Sequence, residues 1–233
     1  MRALYLPGHK FEENSSVTIE GDALHHLQVV RVRKEEQVLL LDGNGIKASA
    51  SVVEILKKSA TLWVNKIEQG ARTHSFSLAI GLPKKEAFED ILKMATELGI
   101  NEIYPLRCEY SQYEYAPNER VEKILESALV QSNNLFRPII HPQVSLEQFL
   151  QSFKDEIFFL NARQNIGTTS SGPLKSACAL IGPEGGFSQT EEQKILSTNT
   201  VKSIHLSTPI LRAPTAVAAA IGYLLASSEF CSK

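Results

Sequence analysis

From Ile181 to Leu196 the chain reads IGPEGGFSQTEEQKIL, an apolar run broken by Gly182, Pro183, Gly185 and Gly186 and then restarted as a helical pattern. Glycines let backbone N–H and C=O groups approach a bound molecule without a Cβ in the way, and Pro183 narrows the loop's freedom. The preceding ACALI reads as a buried strand, so the loop begins where that strand leaves the carboxyl edge of its sheet. Open α/β folds bind ligands at that edge. Ser188 and Glu191 have the S-x-x-E spacing of a capping box, which predicts a helix from Gln189. The stretch has neither the G-x-x-x-x-G-K-[ST] nor the G-x-G-x-x-G spacing of phosphate-binding loops, and Glu184 opposes a polyanion. Two readings follow from the residues: a tight strand-to-helix turn, or a backbone-lined pocket for a weakly charged or zwitterionic small molecule.

A second stretch has the same plan. SIHLSTPILRAPTAVAAAIGYLLA, Ser203 to Ala226, runs from a strand through Pro209 and a short apolar turn ending at Arg212 into a helix. Pro214 suits the first position of that helix, whose own N–H needs no helical partner. Val217, Ile221, Leu224 and Leu225 form an apolar face, while Ala216, Ala219 and Ala220 permit close helix packing. The pattern fits a core helix or a helix at a subunit interface.

Other chemistry is sparse. His25 and His26 are adjacent, with no Cys at ligand spacing, so packing or surface histidines are expected and no metal site. The three cysteines, Cys108, Cys178 and Cys231, are scattered. They fit a reducing compartment and neither a disulfide framework nor a metal cage. No apolar run reaches membrane-spanning length, and the opening MRALYLPGHKFEENSS lacks the form of a secretory signal, which predicts a soluble, cytoplasmic protein. The formal net charge is −2. Ten basic and nine acidic residues lie up to Thr73, and 14 and 17 beyond it. Any nucleic-acid binding must therefore come from local patches.

Two textures position these residues. Up to about Glu68 the segments RALYL, SVTI, QVLLLDG, GIKASASVVEIL and SATLWVNKI are short and rich in alternating or β-branched residues, with DGNG supplying a hairpin turn. A small β-barrel or sandwich is predicted, interrupted by one helix at DALHHLQVVRV that turns Leu24, Leu27 and Val30 inward. EQGARTH, Glu68 to His74, reads as a linker, which divides the chain into domains at 1–70 and 74–233. Beyond it strands alternate with helices. SFSLAIGL, NEIYPL, EIFFLNAR, SACALIG and VKSIHLS are strand patterns. KKEAFEDILKMATELG is an amphipathic helix with Phe88, Ile91, Leu92, Ala95 and Leu98 on one face and Gly99 as its stop. NERVEKILESALVQS and SLEQFLQSF are also helical. Alternation of this kind predicts an α/β fold, a parallel sheet with helices on both faces.

IGPEGGFSQTE followed 14 residues later by LSTPILRAPTA resembles the RsmE family of the SPOUT, or trefoil-knotted, methyltransferases. The resemblance extends over nearly the whole chain. GDALHHLQVVRVRKEEQVLLLDGNG is similar to the family's N-terminal PUA-like RNA-binding barrel, KKEAFEDILKMATELGINEIYPL to its first βαβ unit, and LESALVQSNNLFRPII to its next helix and Arg-Pro segment. It implies S-adenosyl-L-methionine as cofactor, methylation of N3 of a uridine in 16S ribosomal RNA of the small subunit, and a homodimer with cofactor sites near the subunit interface.

The resemblance also implies where the cofactor lies, in loops after three strands: Leu160 and Asn161; Ile181, Gly182, Pro183, Glu184, Gly185 and Gly186; and Leu206, Ser207, Ile210 and Leu211. Arg212 matches the arginine ending the family's ILR segment, beside the methyl-transfer site, and is the expected catalytic residue. The chain departs from the family's usual pattern at Ser207, Pro209 and Pro214, which stand for Gly, Arg and Glu, and at Val130-Gln131, which stands for Glu-Gln before Arg137. For RNA contacts the basic residues Arg31, Arg33 and Lys34 of the first domain, with Lys84 and Lys85 of the second, are the expected set. Two other functions share these residues: an RNA-binding or ribosome-assembly factor that keeps the fold and pocket without catalysis, and a small-molecule α/β enzyme with an unrelated β-domain.

Overall fold

A computed structural model describes residues 2–161 and 173–228. Ala162 and Arg163, at the end of one strand pattern, and Cys231 lie outside the described residues. The chain divides into two compact units, residues 1–72 with 126–137 and residues 73–125 with 138–233.

The first unit holds β1 (Arg2–Tyr5), β2 (Ser16–Ile19), α1 (Gly21–Val29), β3 (Gln37–Leu41), β4 (Ile46–Ile55) and β5 (Ala60–Gln69). Its sheet has the order β1-β3-β4-β5-β2, antiparallel except where β1 runs parallel to β3. The DGNG turn forms between β3 and β4, held by Asp42 Oδ1, which accepts the N–H groups of Asn44 and Ile46 at 2.8 and 2.9 Å. Period-two alternation sends Val38, Leu40, Ala48, Ala50, Val52, Leu62 and Val64 to one face, where Leu24 and Leu27 of α1 close the core. Val30, expected on the inward face of α1, is only partly buried. The helix stops at Val29, and Val32 takes the core position instead.

That stop is a Schellman motif: Val32 N–H donates to Leu27 O and Arg31 N–H to Gln28 O, both at 3.1 Å. Arg31 occupies its left-handed position, with φ 54°.

The second unit contains β6 (Ser75–Gly81), α2 (Lys85–Glu97), β7 (Glu102–Arg107), α3 (Glu119–Ser132), β8 (Ile139–Ile140), β9 (Val144–Ser145), α4 (Leu146–Ser152), β10 (Ile157–Leu160), β11 (Ser176–Ile181), α5 (Gln189–Ser197), β12 (Val201–Ile204) and α6 (Ala213–Ala226). The last turns of α3 group with the first unit, where Leu129 packs with Ala3 and Leu41. The sheet order is β12-β10-β11-β6-β7-β8, with β9 also beside β7, and every pairing is parallel.

Strand alternation splits the core into two layers. Phe76, Leu78 and Ile80 of β6 and Ala177, Ala179 and Ile181 of β11 face α2 and α6. Cys178 and Leu180 face the layer of α4 and α5, with Phe149 and Ile195. Phe88, Ile91 and Leu92 of α2 are fully buried, each contributing about 1.5–3 kcal/mol of hydrophobic stabilisation. Because the central strands are covered on both faces, their sequences read as unbroken apolar runs.

A candidate active site at the carboxyl edge of the parallel sheet

The register brings the strand ends together. Leu160 pairs with Ile204, Phe159 with Leu180, and Ile181 with Ile80, so β12, β10, β11 and β6, adjacent in that order, all finish along one edge. The three loops expected from the sequence, at Leu160–Asn161, 181–186 and 206–211, therefore leave three neighbouring strands at the edge where parallel sheets bind ligands. The first and third are tied directly. Asn161 N–H donates to Ile204 O at 2.9 Å, and His205 Nδ1 lies 3.1 Å from Asn161 O. A carbonyl only accepts, so Nδ1 carries the proton.

The central loop is anchored by contacts that sequence spacing does not show. Gly186 N–H closes a turn on Pro183 O at 2.8 Å, and Gly186 has φ +73°, a backbone conformation costly for residues with a Cβ. Pro183 packs onto Gly81, the last residue of β6, so closely that a Cβ there would lie 2.5 Å from Pro183 Cδ and 2.8 Å from its N. At Gly185 a Cβ would lie 2.9 Å from the Cβ of Tyr110. Glu184, exposed, accepts Lys84 N–H with both carboxylate oxygens, at 3.1 and 3.2 Å.

The capping box forms as its spacing predicts, and α5 starts at Gln189. Glu191 serves twice: Oε2 accepts Ser188 N–H and Oε1 accepts Glu109 N–H, both at 2.9 Å. Beside the loop, burial pushes the Cys108 thiol up to about 12, so this sulfur is a neutral packing group at physiological pH and not a nucleophile.

In the third loop Leu206 O accepts Thr208 N–H at 2.7 Å in a three-residue turn. Ser207, Thr208, Pro209 and Ile210 are exposed, Ile210 at 91%. Leu211 packs on the core, and Arg212 is the exposed N-cap of α6, its carbonyl accepting Ala216 N–H at 2.9 Å. Pro214 falls at the second helical position, one later than its sequence suggests. The helix opens at Ala213, and an N–H at either position would lack a helical partner.

The five basic residues separate. Arg31, Arg33 and Lys34 lie in the first unit and Lys84 and Lys85 in the second, all exposed. Among the described residues no group of three or more His, Cys, Asp or Glu could hold a metal ion, and no helix is long and apolar enough to cross a membrane.

The sequence profile of the RNA methyltransferase domain matches residues 71–225, and that of the RNA methyltransferase PUA domain matches residues 19–62. The chain belongs to the RNA methyltransferase family. Among relatives of this family, the ribosomal RNA small subunit methyltransferase E of Rickettsia conorii is 27% identical over 96% of this chain and 95% of its own. The protein of the same name from Synechocystis is 28% identical over 92% and 74%. A crystal structure of a ribosomal RNA small subunit methyltransferase E from Neisseria gonorrhoeae, bound to S-adenosyl methionine, superposes with a TM-score of 0.89, covering 98% of each chain at 24% identity. The RNA methyltransferase fold thus takes in both units, as the resemblance implies: a SPOUT-type parallel sheet flanked by helices, preceded by a small PUA-like sheet.

Gly81, Glu109, Tyr110 and His205 shape this edge and escaped the sequence reading. Gly81 alone left a signal, as a glycine closing an apolar strand.

Proposed function

We propose that this chain transfers a methyl group from S-adenosyl-L-methionine to N3 of a uridine in 16S ribosomal RNA of the small subunit, working as a cytoplasmic homodimer. The observation that carries the reading is the convergence of the three expected loops on adjacent strand ends, with a glycine backbone at their centre. That edge fits the cofactor on this chain's own features. Gly182, Gly185 and Gly186 present backbone rather than side chains, and the neighbouring Asn161 and His205 are hydrogen-bonding groups. An environment of this kind suits a molecule that is zwitterionic and carries a sulfonium, and it would repel neither end.

When bound, S-adenosylmethionine supplies an electrophilic methyl group. The backbone of 181–186 and 206–211 holds the donor, and the anchors Glu184 and Glu191 keep that backbone in place, since in-line displacement depends on positioning. The methyl group so supplied would pass to N3 of uridine, which would give up its proton to solvent in exchange. Arg212, at the mouth of α6, stabilises the negative charge that develops on the uracil carbonyl oxygens. Arg31, Arg33 and Lys34, with Lys84 and Lys85, bind phosphates and position the RNA.

Calorimetric titration with S-adenosylmethionine tests the cofactor site. The native protein is expected to bind, and Gly186→Val, which forces a β-branched residue to positive φ, is expected not to. Equal binding by both proteins would remove the loop from the site.

A further inference from the structure

Trp63, the single tryptophan of the chain, is 42% exposed on the outer face of the N-terminal sheet. The core does not require it there, because the inward positions of β5 are filled by Ala60, Leu62 and Val64. Its neighbours are set by register. Ser16 of β2 and Ser51 of β4 stand directly opposite it, and Gln37 of β3 stands opposite Ser51. The row Gln37–Ser51–Trp63–Ser16 thus crosses four strands about 4.8 Å apart and carries no charge.

The amides beside the ring are fixed. Gln37 Nε2 and Asn65 Nδ2 both donate to Ser51 Oγ, at 2.8 and 2.9 Å, and Asn65 Nδ2 lies 3.3 Å from Gln37 Oε1. One end of the row adjoins the basic cluster. Glu35 N–H donates to Val52 O at 2.8 Å and Val52 N–H to Glu36 O at 3.0 Å, pinning the loop that carries Arg33 and Lys34 to β4 beside Ser51. Glu36, which precedes Gln37 in the chain, is paired with Arg2 at 3.0 Å.

A single indole ringed by hydroxyls and carboxamides is too small and too polar a patch to be a protein interface. It has the make-up of a stacking site for one unpaired base, with hydrogen-bonding groups within reach of a base edge and cations for the adjoining phosphates. We propose that the Trp63 face of the N-terminal sheet is a stacking platform for an unpaired base of single-stranded RNA, with Arg33 and Lys34 engaging its backbone. This rests on the reading of the chain as an enzyme acting on RNA, and adds where and in what form that RNA is held.

The fluorescence of the native protein reports on Trp63 alone, so titration with a labelled single-stranded oligouridylate gives two signals at once. Anisotropy of the label reads binding, and indole emission reads stacking. Quenching that rises in step with anisotropy is expected, and none with an RNA duplex whose bases are already stacked. Trp63→Ala should weaken binding about tenfold or more and leave its salt dependence unchanged, whereas Trp63→Phe should stay close to native. Replacing Arg33 and Lys34 by Ala should lower the salt dependence instead. Binding with unchanged Trp63 emission, or native affinity in Trp63→Ala, overturns the platform and leaves RNA methylation standing. Absence of any RNA binding overturns both.

Discussion

Glu184 and Lys84, 100 residues apart in sequence, are joined by a carboxylate that accepts one backbone N–H through both oxygens, at 3.1 and 3.2 Å. Lys84 is the N-cap of α2 and has no side-chain cap of its own. Glu184 therefore does from a distant loop what a capping residue does locally, and it sits where the helix dipole favours an anion. The glycine-rich loop is thereby fastened to the helix that follows β6.

Removing that carboxylate should act on the loop more than on the fold. Glu184→Ala is expected to cost about 1 kcal/mol of stability in thermal denaturation. It should also weaken S-adenosylmethionine binding by calorimetry, and Glu184→Gln, which keeps one acceptor oxygen, should recover much of both. Unchanged cofactor affinity in Glu184→Ala would mean that the anchor does not shape the site.

Gly81→Ala should be more severe. The added Cβ would meet Pro183 at 2.5 Å and its backbone N at 2.8 Å, so the loop itself must shift. A loss of roughly 1–3 kcal/mol is expected from overpacking. The variant should melt earlier yet remain folded at 25 °C, with cofactor binding lost there. A variant that binds as the native protein does would show that the 181–186 loop can move without consequence.

What the sequence disclosed and what it hid divide by range. The capping box at Ser188 and Glu191, the buried face of α2 and the apolar strands are local patterns, each set by residues within a turn or two. Which strands lie side by side is a matter of tertiary pairing, so the adjacency of β12 and β10 is not legible in any local pattern. Gly81 against Pro183, Glu184 on Lys84 and Glu191 on Glu109 join segments about 80 to 100 residues apart, and no spacing rule encodes them. The end of α1 misled in another way. Its apolar pattern continues through Val30, but the helix is stopped by the left-handed Arg31, a position where glycine would have been the recognisable signal.

That arginine gives a prediction with two opposite signs. At φ 54° a side chain costs about 1 kcal/mol relative to glycine, so Arg31→Gly should raise the midpoint of thermal unfolding. The same change removes a phosphate-binding cation and should flatten the salt dependence of RNA binding by about 0.7 in the log–log slope. An RNA salt slope equal to the native one would take Arg31 out of the interface.

The ion pair between α2 and α3 sets a pH dependence. Arg120 binds Glu89 through two contacts of 2.5 Å, and these hydrogen bonds hold the Glu89 carboxyl below its ordinary value of 4.5. A depressed folded-state value means that the pair stabilises the fold fully above pH 4.5 and loses that contribution as pH falls through the lowered value. Arg120→Ala should therefore be less stable than the native protein at neutral pH, and the gap should close on acidification. Denaturant unfolding at a series of pH values reads this directly, and a gap that stays constant down to acid pH would assign it to lost packing instead.

The most direct test of the account is transfer itself. Small-subunit ribosomal RNA lacking its native methylation, incubated with the protein and methyl-labelled S-adenosylmethionine, is digested to nucleosides and separated. The account predicts label in 3-methyluridine, and its loss in an Arg212→Ala variant that still folds and binds the cofactor. Cofactor binding with no label in the RNA, or label in a different nucleoside, would contradict it.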